Sequence, residues 1–400
     1  MRRTLIVLSF VTSLVGPVAA AGAATPGVTV PPDAWVTIDG HGFGHGHGLS
    51  QYGAEGAARK GLTAQRIVDF YYPGTGHGRA GGSVKVKITA DDDNNTVVMA
   101  RSGLVARDYR AGTSWTLPTN LGATRWRFSV AAVNATALTY LASGAWHRWK
   151  TLKGDGAFTA GSQPVTLVTP DGQVAYRGTL QSRRPSSAST NRITVNVLSL
   201  ENYLRGVVPR EIPASWSPAA VRAQAIAART YAAYERAHPA SSVYQICDTA
   251  SCQVYGGYSA EHPDSDAAIS ATAGKIQTFD GGPAFTQFSA SDGGWNSAGS
   301  QPYLVAQQDP YDGWSGNPYH SWTVRVDATK IEQAWSALGD LQGITVTSRD
   351  GNGEWGGRVL TLVLSGRDND VPVSGDTFRS LLGLRSNWLH FTATAKSTAK

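Results

Sequence analysis

The stretch LENYLRGVVPREIPASWSPAAVRAQAIAARTYAAY, residues 200–234, lies where strand-forming sequence gives way to helix-forming sequence. The preceding run RITVNVLSL, residues 192–200, alternates apolar and polar residues as a half-buried β-strand does. Within the stretch, Ser217 is a helix-capping residue and Pro218 suits the first helical position. His238 precedes another proline and ends the pattern. We therefore predict a long helix from Pro218 to about His238.

The predicted helix carries two distinct faces. Residues at helical spacing form one small-residue face, namely Val221, Ala225, Ala228 and Ala232. Such a face allows close packing against a sheet or another helix. Arg222 and Arg229 are seven residues apart, so we expect them to project together from a different side. They belong either to a solvated basic edge or to a binding site.

The region before this helix is rich in predicted strands. From Ser83 to Gly178, short alternating runs such as SVKVKITA and RWRFSVAAV are separated by Gly, Asn, Asp and Pro. The polar segment RRPSSASTN, residues 183–191, follows as a loop or linker. Shorter helices are predicted at 266–273, 330–338 and 377–382. Strands with several inserted helices predict an α+β fold.

The first 24 residues have the order of a secretory signal peptide. Two arginines precede an apolar run from Leu5 to about Val15, and small residues around Ala23 offer a cleavage site. Thr12, Ser13, Gly16 and Pro17 interrupt the run, which is too short to span a membrane. We expect a mature protein in the secreted or cell-envelope compartment, without a stable membrane span.

The charge balance excludes an obvious nucleic-acid partner. The chain has 35 basic and 29 acidic residues, and removal of Arg2 and Arg3 leaves 33 against 29, a net charge of +4. This excess is too small to predict nucleic-acid binding, although it suits an anionic cell envelope.

The two cysteines lie close together in ICDTASCQVYGG. In an exported chain, such a pair predicts a disulfide between Cys247 and Cys252. The alternative is half of a zinc site, which needs about two further ligands. His238 and His262 flank the pair, but neither has a tight ligand spacing.

Glu211 is the carboxylate that local sequence singles out. Its neighbours are mostly apolar, namely Val207, Val208, Pro209, Ile212, Pro213 and Trp216. Such surroundings desolvate a carboxyl group and raise its pKa, so that it could donate a proton to a leaving oxygen at neutral pH. The alternative is an exposed turn glutamate beside Arg210.

A second suggestive stretch is GHGFGHGHGLSQYGAEGAARKG, residues 40–61. Its glycines would let the backbone approach a sugar before Ser50 starts a helix. A histidine metal site is a further alternative, but His41, His45 and His47 lack both a known zinc spacing and a clear carboxylate partner.

Five blocks of the chain together resemble the SpoIID/LytB family of cell-wall proteins. They are residues 200–234, CDTASCQVYGG, FSASDGGWNS, FRSLLGLRSNW and GFGHGHGLSQYGAEGAARKGLTAQRIVDFYYPGT. The resemblance implies a SpoIID-like fold in which residues 25–82 join a catalytic core at 191–395, with the strand-rich region 83–190 between them. The resemblance further implies that the LxxYLxGVV block, at the start of residues 200–234, is a strand.

The resemblance implies either a peptidoglycan lytic transglycosylase or an enhancer of a cell-wall amidase. In the transglycosylase members the glutamate after the LxxYLxGVV block is the catalytic acid and base, which is Glu211 here. The resemblance assigns substrate-binding positions to His45, Ser50, Gln51, Arg222, Ser291, Gly293 and Gly294. It implies peptidoglycan glycan strands as substrate, an amidase as a possible partner, and no metal or other cofactor. A role in sporulation is left open.

Two departures from the family pattern affect these expectations. Some members bind zinc near the cysteine block, but Ser251 precedes Cys252 here, which strengthens the disulfide interpretation. The glycine-histidine block follows LGLRS-W in familiar members, whereas here it comes first, as a circular permutation would place it. Because chain termini often lie close together, we expect Trp388 to lie near Gly42.

Overall fold

The computed structural model describes residues 27–132, 135–186 and 188–397. The predicted signal peptide, residues 1–24, lies outside the described residues. The described chain is strand-rich with inserted helices, which confirms the predicted α+β class.

Seven α-helices are present in the described residues: α1 (Gln51–Arg59), α2 (Ala64–Tyr71), α3 (Leu200–Glu211), α4 (Pro218–Ala237), α5 (Pro263–Ala271), α6 (Ala328–Ala334) and α7 (Gly375–Leu382). Short 3₁₀ turns occur at Tyr258–Ala260, Ser336–Leu338 and Glu354–Gly356. The predicted helices at 217–238, 266–273, 330–338 and 377–382 all correspond to one of these elements, with ends that differ by a few residues.

The strands of the described residues are β1 (Val28–Thr29), β2 (Ala34–Gly40), β3 (Leu49–Ser50), β4 (Gly76–Arg79), β5 (Ser83–Ile88), β6 (Thr96–Met99), β7 (Val105–Asp108), β8 (Thr113–Thr116), β9 (Arg125–Ala132), β10 (Ala135–Ala142), β11 (Ala145–Leu152), β12 (Gly156–Thr159), β13 (Val165–Thr169), β14 (Gly172–Tyr176), β15 (Thr179–Arg183), β16 (Ile193–Ser199), β17 (Ile246–Cys247), β18 (Lys275–Phe279), β19 (Gly282–Pro283), β20 (Phe288–Ser289), β21 (Trp295–Asn296), β22 (Gln307–Gln308), β23 (Trp322–Asp327), β24 (Leu341–Arg349), β25 (Val359–Gly366), β26 (Asp370–Ser374) and β27 (Leu389–Ala395).

The chain divides into two compact units. One contains the residues up to Ile38 and those from Val324 onward, and the other runs from Asp39 to Thr323. In the first, strands β1, β24, β25 and β26 form an antiparallel sheet that packs with α6 and α7. Gly42 and Trp388 fall in different units, so their proximity and the circular permutation stay predictions.

The second unit contains two sheets from the strand-rich region. One has the order β11-β10-β9-β6-β13-β14, and the other β17-β5-β16-β15-β12-β7-β8. The rings of Phe128 and Phe158 stack 4.1 Å apart and join the two sheets. The second sheet takes β16 and β17 from beyond residue 190, so it continues past the boundary that the sequence predicts.

The LxxYLxGVV block is helical, and its assignment as a strand is wrong. Its buried side chains recur at the spacing of a helix, namely Leu200, Tyr203, Leu204, Val207 and Val208. Ser199 caps the helix by accepting a hydrogen bond from the backbone N–H of Asn202. Pro209 lies in the last turn, and α3 ends at Glu211. The helix thus places this carboxylate at its C-terminal end.

Helix α4 lies at the centre of the second unit and packs against α1, α2, α3 and α5. It begins at Pro218 and ends at Ala237, close to the predicted limits. The small residues Ala225, Ala228 and Ala232 are fully buried, which allows its neighbours to approach closely.

Candidate active site

A cavity of about 420 Å³ lies in the second unit next to the end of α3. Three segments far apart in sequence supply most of its wall, namely 43–51, 250–254 and 287–290, together with Glu211 and Tyr231. Three of the residues that the sequence predicts as functional therefore come together here, His45, Gln51 and Glu211.

Glu211 is half-buried and is held by two hydrogen-bond donors. The backbone N–H of Val254 donates to its Oε1 at 2.9 Å, and the Gln51 side chain forms a further hydrogen bond with the carboxyl group. Burial raises the pKa of Glu211, while these two hydrogen bonds and the charge of Arg210 oppose the rise only in part. The carboxyl group therefore keeps its proton to a higher pH than an exposed turn glutamate would.

A disulfide borders the same cavity. Cys247 and Cys252 are joined, with Cα atoms 5.5 Å apart, so the pair is not half of a zinc site. Cys252 lines the cavity, and Val254, the donor to Glu211, follows two residues later. At the other end of this loop, both carboxylate oxygens of Asp248 accept a hydrogen bond from the backbone N–H of Thr89, each at 3.1 Å. The loop that holds Glu211 is thus fixed at both ends.

The glycines of the glycine-histidine stretch are required by packing within the protein. Gly42, Gly44, Gly46 and Gly48 all have positive φ. A Cβ on Gly48 would lie 2.2 Å from the carbonyl oxygen of Gln287. Strand β3 pairs in parallel with β20, and Phe43 pairs with Ser291. Backbone of the segment 287–292 therefore approaches Gly42 and Gly48 closely, whereas a Cβ on Gly44 would meet the Ser289 side chain. The approach of a sugar to this stretch stays a prediction.

His45 lines the cavity, and its neighbour fixes the orientation of its ring. Its Nδ1 accepts the backbone N–H of His47 at 2.9 Å, and the two imidazole rings stack 4.9 Å apart. In a neutral His45 the proton is consequently on Nε2.

Ser50 and Ser291 are fully buried and do not line the cavity. Ser50 caps α1, and its hydroxyl donates to Asp312 Oδ1 at 2.8 Å. The Ser291 hydroxyl donates to the same atom at 2.9 Å. Both serines therefore join segments behind the cavity wall and position the residues that do line it.

Gly293 and Gly294 also act through their backbone. Both have positive φ, and a Cβ on Gly293 would lie 2.6 Å from the backbone nitrogen of Gly42. A Cβ on Gly294 would lie 3.0 Å from the His320 ring. The predicted polar loop is thus a close backbone junction between the glycine-histidine stretch and the segment around residue 320.

Asp312 belongs to a buried group of three carboxylates with Asp292 and Asp309, which the sequence interpretation misses. Their oxygen atoms lie within 4.8 Å of one another, the only group of three metal-ligand side chains this close in the described ranges. Every carboxylate oxygen accepts a hydrogen bond, from donors that include Tyr71, Asn296 and Asn317. With these lone pairs engaged, the group is a hydrogen-bonded hub and does not in itself define a metal centre.

Burial and mutual repulsion raise the pKa values of this hub. Burial, followed by the charges of its two partners, raises the pKa of Asp292 well above its ordinary value. Burial and the charge of Asp312 raise the pKa of Asp309 to about 6. His320 donates from Nδ1 to Asp312 at 2.9 Å, and this hydrogen bond raises the pKa of the imidazole.

His41 and His47 contact different parts of the backbone. His41 donates from Nδ1 to the carbonyl of His320 at 2.8 Å, and His47 donates from Nδ1 to that of Ser297 at 3.2 Å. In the described part of the chain no three of the histidines form a group close enough to hold an ion. The histidine metalloenzyme alternative gains no support from this arrangement.

Arg222 and Arg229 do not project together. Arg222 is exposed and does not line the cavity, whereas the side chain of Arg229 is fully buried. Arg229 forms two hydrogen bonds to Glu201, at 2.9 and 2.8 Å, and donates to the carbonyl of Ile269. Arg229 therefore ties α4 to α3 and α5, and this role depends on a burial that helical spacing alone does not predict.

Aromatic side chains continue from the rim of the cavity. The Phe43 ring, 39% exposed, lies 5.0 Å from Tyr319, which lies 5.4 Å from Tyr52. Tyr52 in turn contacts Trp216 at 4.7 Å and Trp314 at 6.2 Å. We call these five residues the aromatic ridge. Only Trp216 stands near Glu211 in sequence, so spacing gives no signal for the other four.

Residues 188–279 match the family model described as SpoIID, stage II sporulation protein. This part of the chain is similar to the SpoIID family. The SpoIID match contains α3, α4, Glu211 and the disulfide. It does not include His45 or Gln51, so the cavity combines residues of the SpoIID match with residues outside it.

Three curated proteins show how far this SpoIID similarity extends. The chain is 34% identical to the amidase enhancer of Bacillus subtilis (strain 168) over 150 residues, which are 34% of this chain and 20% of that protein. It is 29% identical to the stage II sporulation protein D of the same organism, covering 48% of this chain and 60% of that protein. The protein of that name from Bacillus amyloliquefaciens is 27% identical, covering 57% of this chain and 67% of that protein.

Proposed function

We propose that this chain is a peptidoglycan lytic transglycosylase, with Glu211 as its acid and base. One observation carries the proposal: among the described residues that line the cavity, Glu211 is the only carboxylate. Ordinary glycoside hydrolysis needs two carboxylates, one as acid and one as base or nucleophile. A reaction in which the substrate supplies its own nucleophile needs only one.

The raised pKa of Glu211 suits the first step of such a reaction. The protonated carboxyl group donates its proton to the glycosidic oxygen as the C1–O bond breaks. The 6-hydroxyl of the same sugar then attacks C1, and the Glu211 carboxylate accepts the hydroxyl proton. One C–O bond breaks and one forms, the product ends in a 1,6-anhydro ring, and Glu211 regains its starting state.

The surroundings of Glu211 suit a polysaccharide substrate. Gln51 and the Val254 N–H hold the carboxyl group in place, and His45 offers a donor in the same cavity. The aromatic ridge extends from the rim of the cavity and offers a row of rings on which successive sugars could stack.

The comparisons support a cell-wall-related role for the chain. One similar protein is named an amidase enhancer, and two others are named for sporulation. None of the described helices has the length and apolar character needed to cross a membrane. We propose a secreted or cell-envelope location, which the predicted signal peptide also favours.

Digestion of purified peptidoglycan tests this proposal. Wild type is expected to release anhydro-muropeptides, and Glu211→Gln is expected to release at least about 100-fold less, the range for loss of a general acid. Glu332→Gln is a matched control in the other unit, because a glutamine there still accepts the N–H of Leu341. Equal release by wild type and Glu211→Gln would refute the assignment.

The similarity to an amidase enhancer favours a second candidate function. In this alternative the chain binds glycan and stimulates a cell-wall amidase without cleaving the strand. Glycan binding and amidase stimulation would then survive Glu211→Gln, and no anhydro products would form with either protein.

A further inference from the structure

The positive charge of the chain is concentrated in residues 94–154. This segment holds eight of the 35 basic residues and one of the 29 acidic residues, which leaves 27 and 28 for the rest. The basic residues are Arg101, Arg107, Arg110, Arg125, Arg127, Arg148, Lys150 and Lys153. The single acid, Asp108, accepts backbone N–H groups within the segment. The rest of the chain is nearly neutral.

Strand register places three of these arginines and a tryptophan on one sheet face. Across β9, β10 and β11, Arg125 is opposite Leu141, which is opposite Trp146. In the next row, Arg127 is opposite Thr139, which is opposite Arg148. Residues opposite one another in antiparallel strands project to the same side. We call Arg125, Arg127, Trp146 and Arg148 the basic sheet face.

This face is opposite the one that packs in the core. Trp126 and Phe128 alternate with the arginines of β9, are buried, and face the second sheet through Phe158. The basic sheet face is therefore the outer side of this sheet, and Arg148 on it is exposed.

Neutral partners hold Arg127 and Arg148 on the basic sheet face. The Arg127 guanidinium lies 4.0 Å from the centre of the Trp146 ring and donates to the Thr139 hydroxyl. Arg148 donates to the Thr151 hydroxyl at 3.1 Å. Among residues with described positions, no carboxylate lies within 4.0 Å of these guanidinium groups, although the charge of Asp93 acts on Arg127. The positive charges are thus available to an external anion.

The edge strand β11 also carries a cation next to aromatic rings on the other side of the sheet. The Lys150 ammonium lies 4.8 Å from the Trp149 ring and 5.1 Å from the Trp115 ring. A shallow depression at the end of the strand is lined by Arg110 and Lys153, among others. Lys150 is opposite Leu138, which is opposite the buried Phe128, so Lys150 projects to the core side of the sheet and does not belong to the basic sheet face.

We propose that the basic sheet face binds peptide-bearing peptidoglycan strands at a place separate from the Glu211 cavity. The proposal rests on the proposed function for the choice of polymer. Arginine forks match the carboxylates of the stem peptides, and an indole offers a surface for a sugar ring. The charge of this surface complements an anionic glycan, whereas the balanced remainder of the chain does not.

Sedimentation with insoluble peptidoglycan tests this proposal, with all variants built in the Glu211→Gln background so that the polymer stays intact. Arg125→Gln/Arg127→Gln/Arg148→Gln is expected to bind peptide-bearing strands about 10-fold more weakly and to lose most of its salt dependence. The matched control is Arg66→Gln/Lys275→Gln/Lys330→Gln, which removes three other exposed cations and should bind normally. Strands stripped of peptides should bind weakly to every variant.

Two further measurements separate recognition from misfolding. The corresponding triple lysine variant keeps the charge and should recover part of the binding, while thermal unfolding checks that each variant is folded. Unchanged binding by the folded glutamine variant would overturn the proposal. A loss confined to walls that carry phosphate polymers would also overturn it, because it would identify a different ligand. If the wild-type protein released no anhydro-muropeptides while the Glu211→Gln protein still bound the strands, that result would instead count against the proposed function alone.

Discussion

The two walls of the Glu211 cavity are built in different ways. One wall comes from the SpoIID match, where α3 and the disulfide loop place Glu211 and Val254 within about 45 residues of chain. The other comes from the glycine-histidine stretch, which Asp312 ties to residues more than 200 positions away. Local helix formation positions the first wall, whereas a buried polar hub positions the second. We therefore expect the two walls to respond differently to mutation and pH.

The largest effect is expected from removal of the hub. Asp312→Ala leaves the buried hydroxyls of Ser50 and Ser291 without their acceptor, and each orphaned group costs about 1–3 kcal/mol. We expect a loss of about 3–5 kcal/mol in the free energy of unfolding, measured by urea denaturation. Asp340→Ala is the control, since its ion pair with Arg367 is exposed to solvent and contributes little to stability. A loss below 1 kcal/mol for Asp312→Ala would show that the hydrogen bonds of this hub do not stabilise the fold as described.

The pH dependence of stability should reveal the same hub. The pKa of Asp309 is about 6 in the folded state against an ordinary 3.8, so the folded state holds the proton more tightly. The contribution of Asp309 to the free energy of unfolding therefore falls by about 3 kcal/mol as the pH rises from about 4 to 7. His320, with its raised pKa, is stabilising at low pH and acts in the same direction.

Urea denaturation at pH 4 and pH 7 measures this effect, with Asp309→Asn as the comparison. The asparagine variant should lose less stability over this interval than wild type does. Equal changes in the two proteins would show that Asp309 does not titrate as described.

A smaller effect is expected at the wall from the SpoIID match. Opening the disulfide with Cys247→Ser/Cys252→Ser should loosen the loop that carries Val254 and weaken its hydrogen bond to Glu211. We expect about a 10-fold loss of cleavage rate, because a misplaced acid transfers its proton poorly. The assay is anhydro-muropeptide release at constant pH. If this variant is folded and fully active, the disulfide is not needed for cleavage.

The smallest effect should come from Gln51, which links the two walls. Its hydrogen bond to Glu211 favours the carboxylate, so Gln51→Leu should raise the pKa of Glu211 further. The decline of cleavage rate toward alkaline pH should then shift upward, by about 1 unit or less. A pH–rate profile measures the shift, and a downward shift would contradict the described geometry.

The sequence predicts the first wall better than the second. Capping and spacing locate α4, and the apolar neighbours of Glu211 predict its burial, because both depend on local chain. The strand assignment of the LxxYLxGVV block comes from the family resemblance, whereas the buried positions that Leu200 and Tyr203 begin follow helical spacing. The secondary structure of this block follows from the spacing of its buried residues.

The second wall depends on contacts that no local pattern records. Ser50, Ser291 and Asp312 meet only after the chain has folded, so the serines are predicted as cleft residues and the aspartate is missed. Similarly, helical spacing groups Arg222 with Arg229, but burial separates them because only Arg229 faces Glu201. A polar residue's role at this site is decided by its distant partner.

The central claim is that one carboxylate suffices because the substrate supplies the nucleophile. Cleavage of peptidoglycan in ¹⁸O-labelled water tests it most directly, with mass spectrometry of the new sugar ends. We expect anhydro ends without ¹⁸O from wild type and almost no new ends from Glu211→Gln. One ¹⁸O atom at each new reducing end, or full activity of Glu211→Gln, would contradict it.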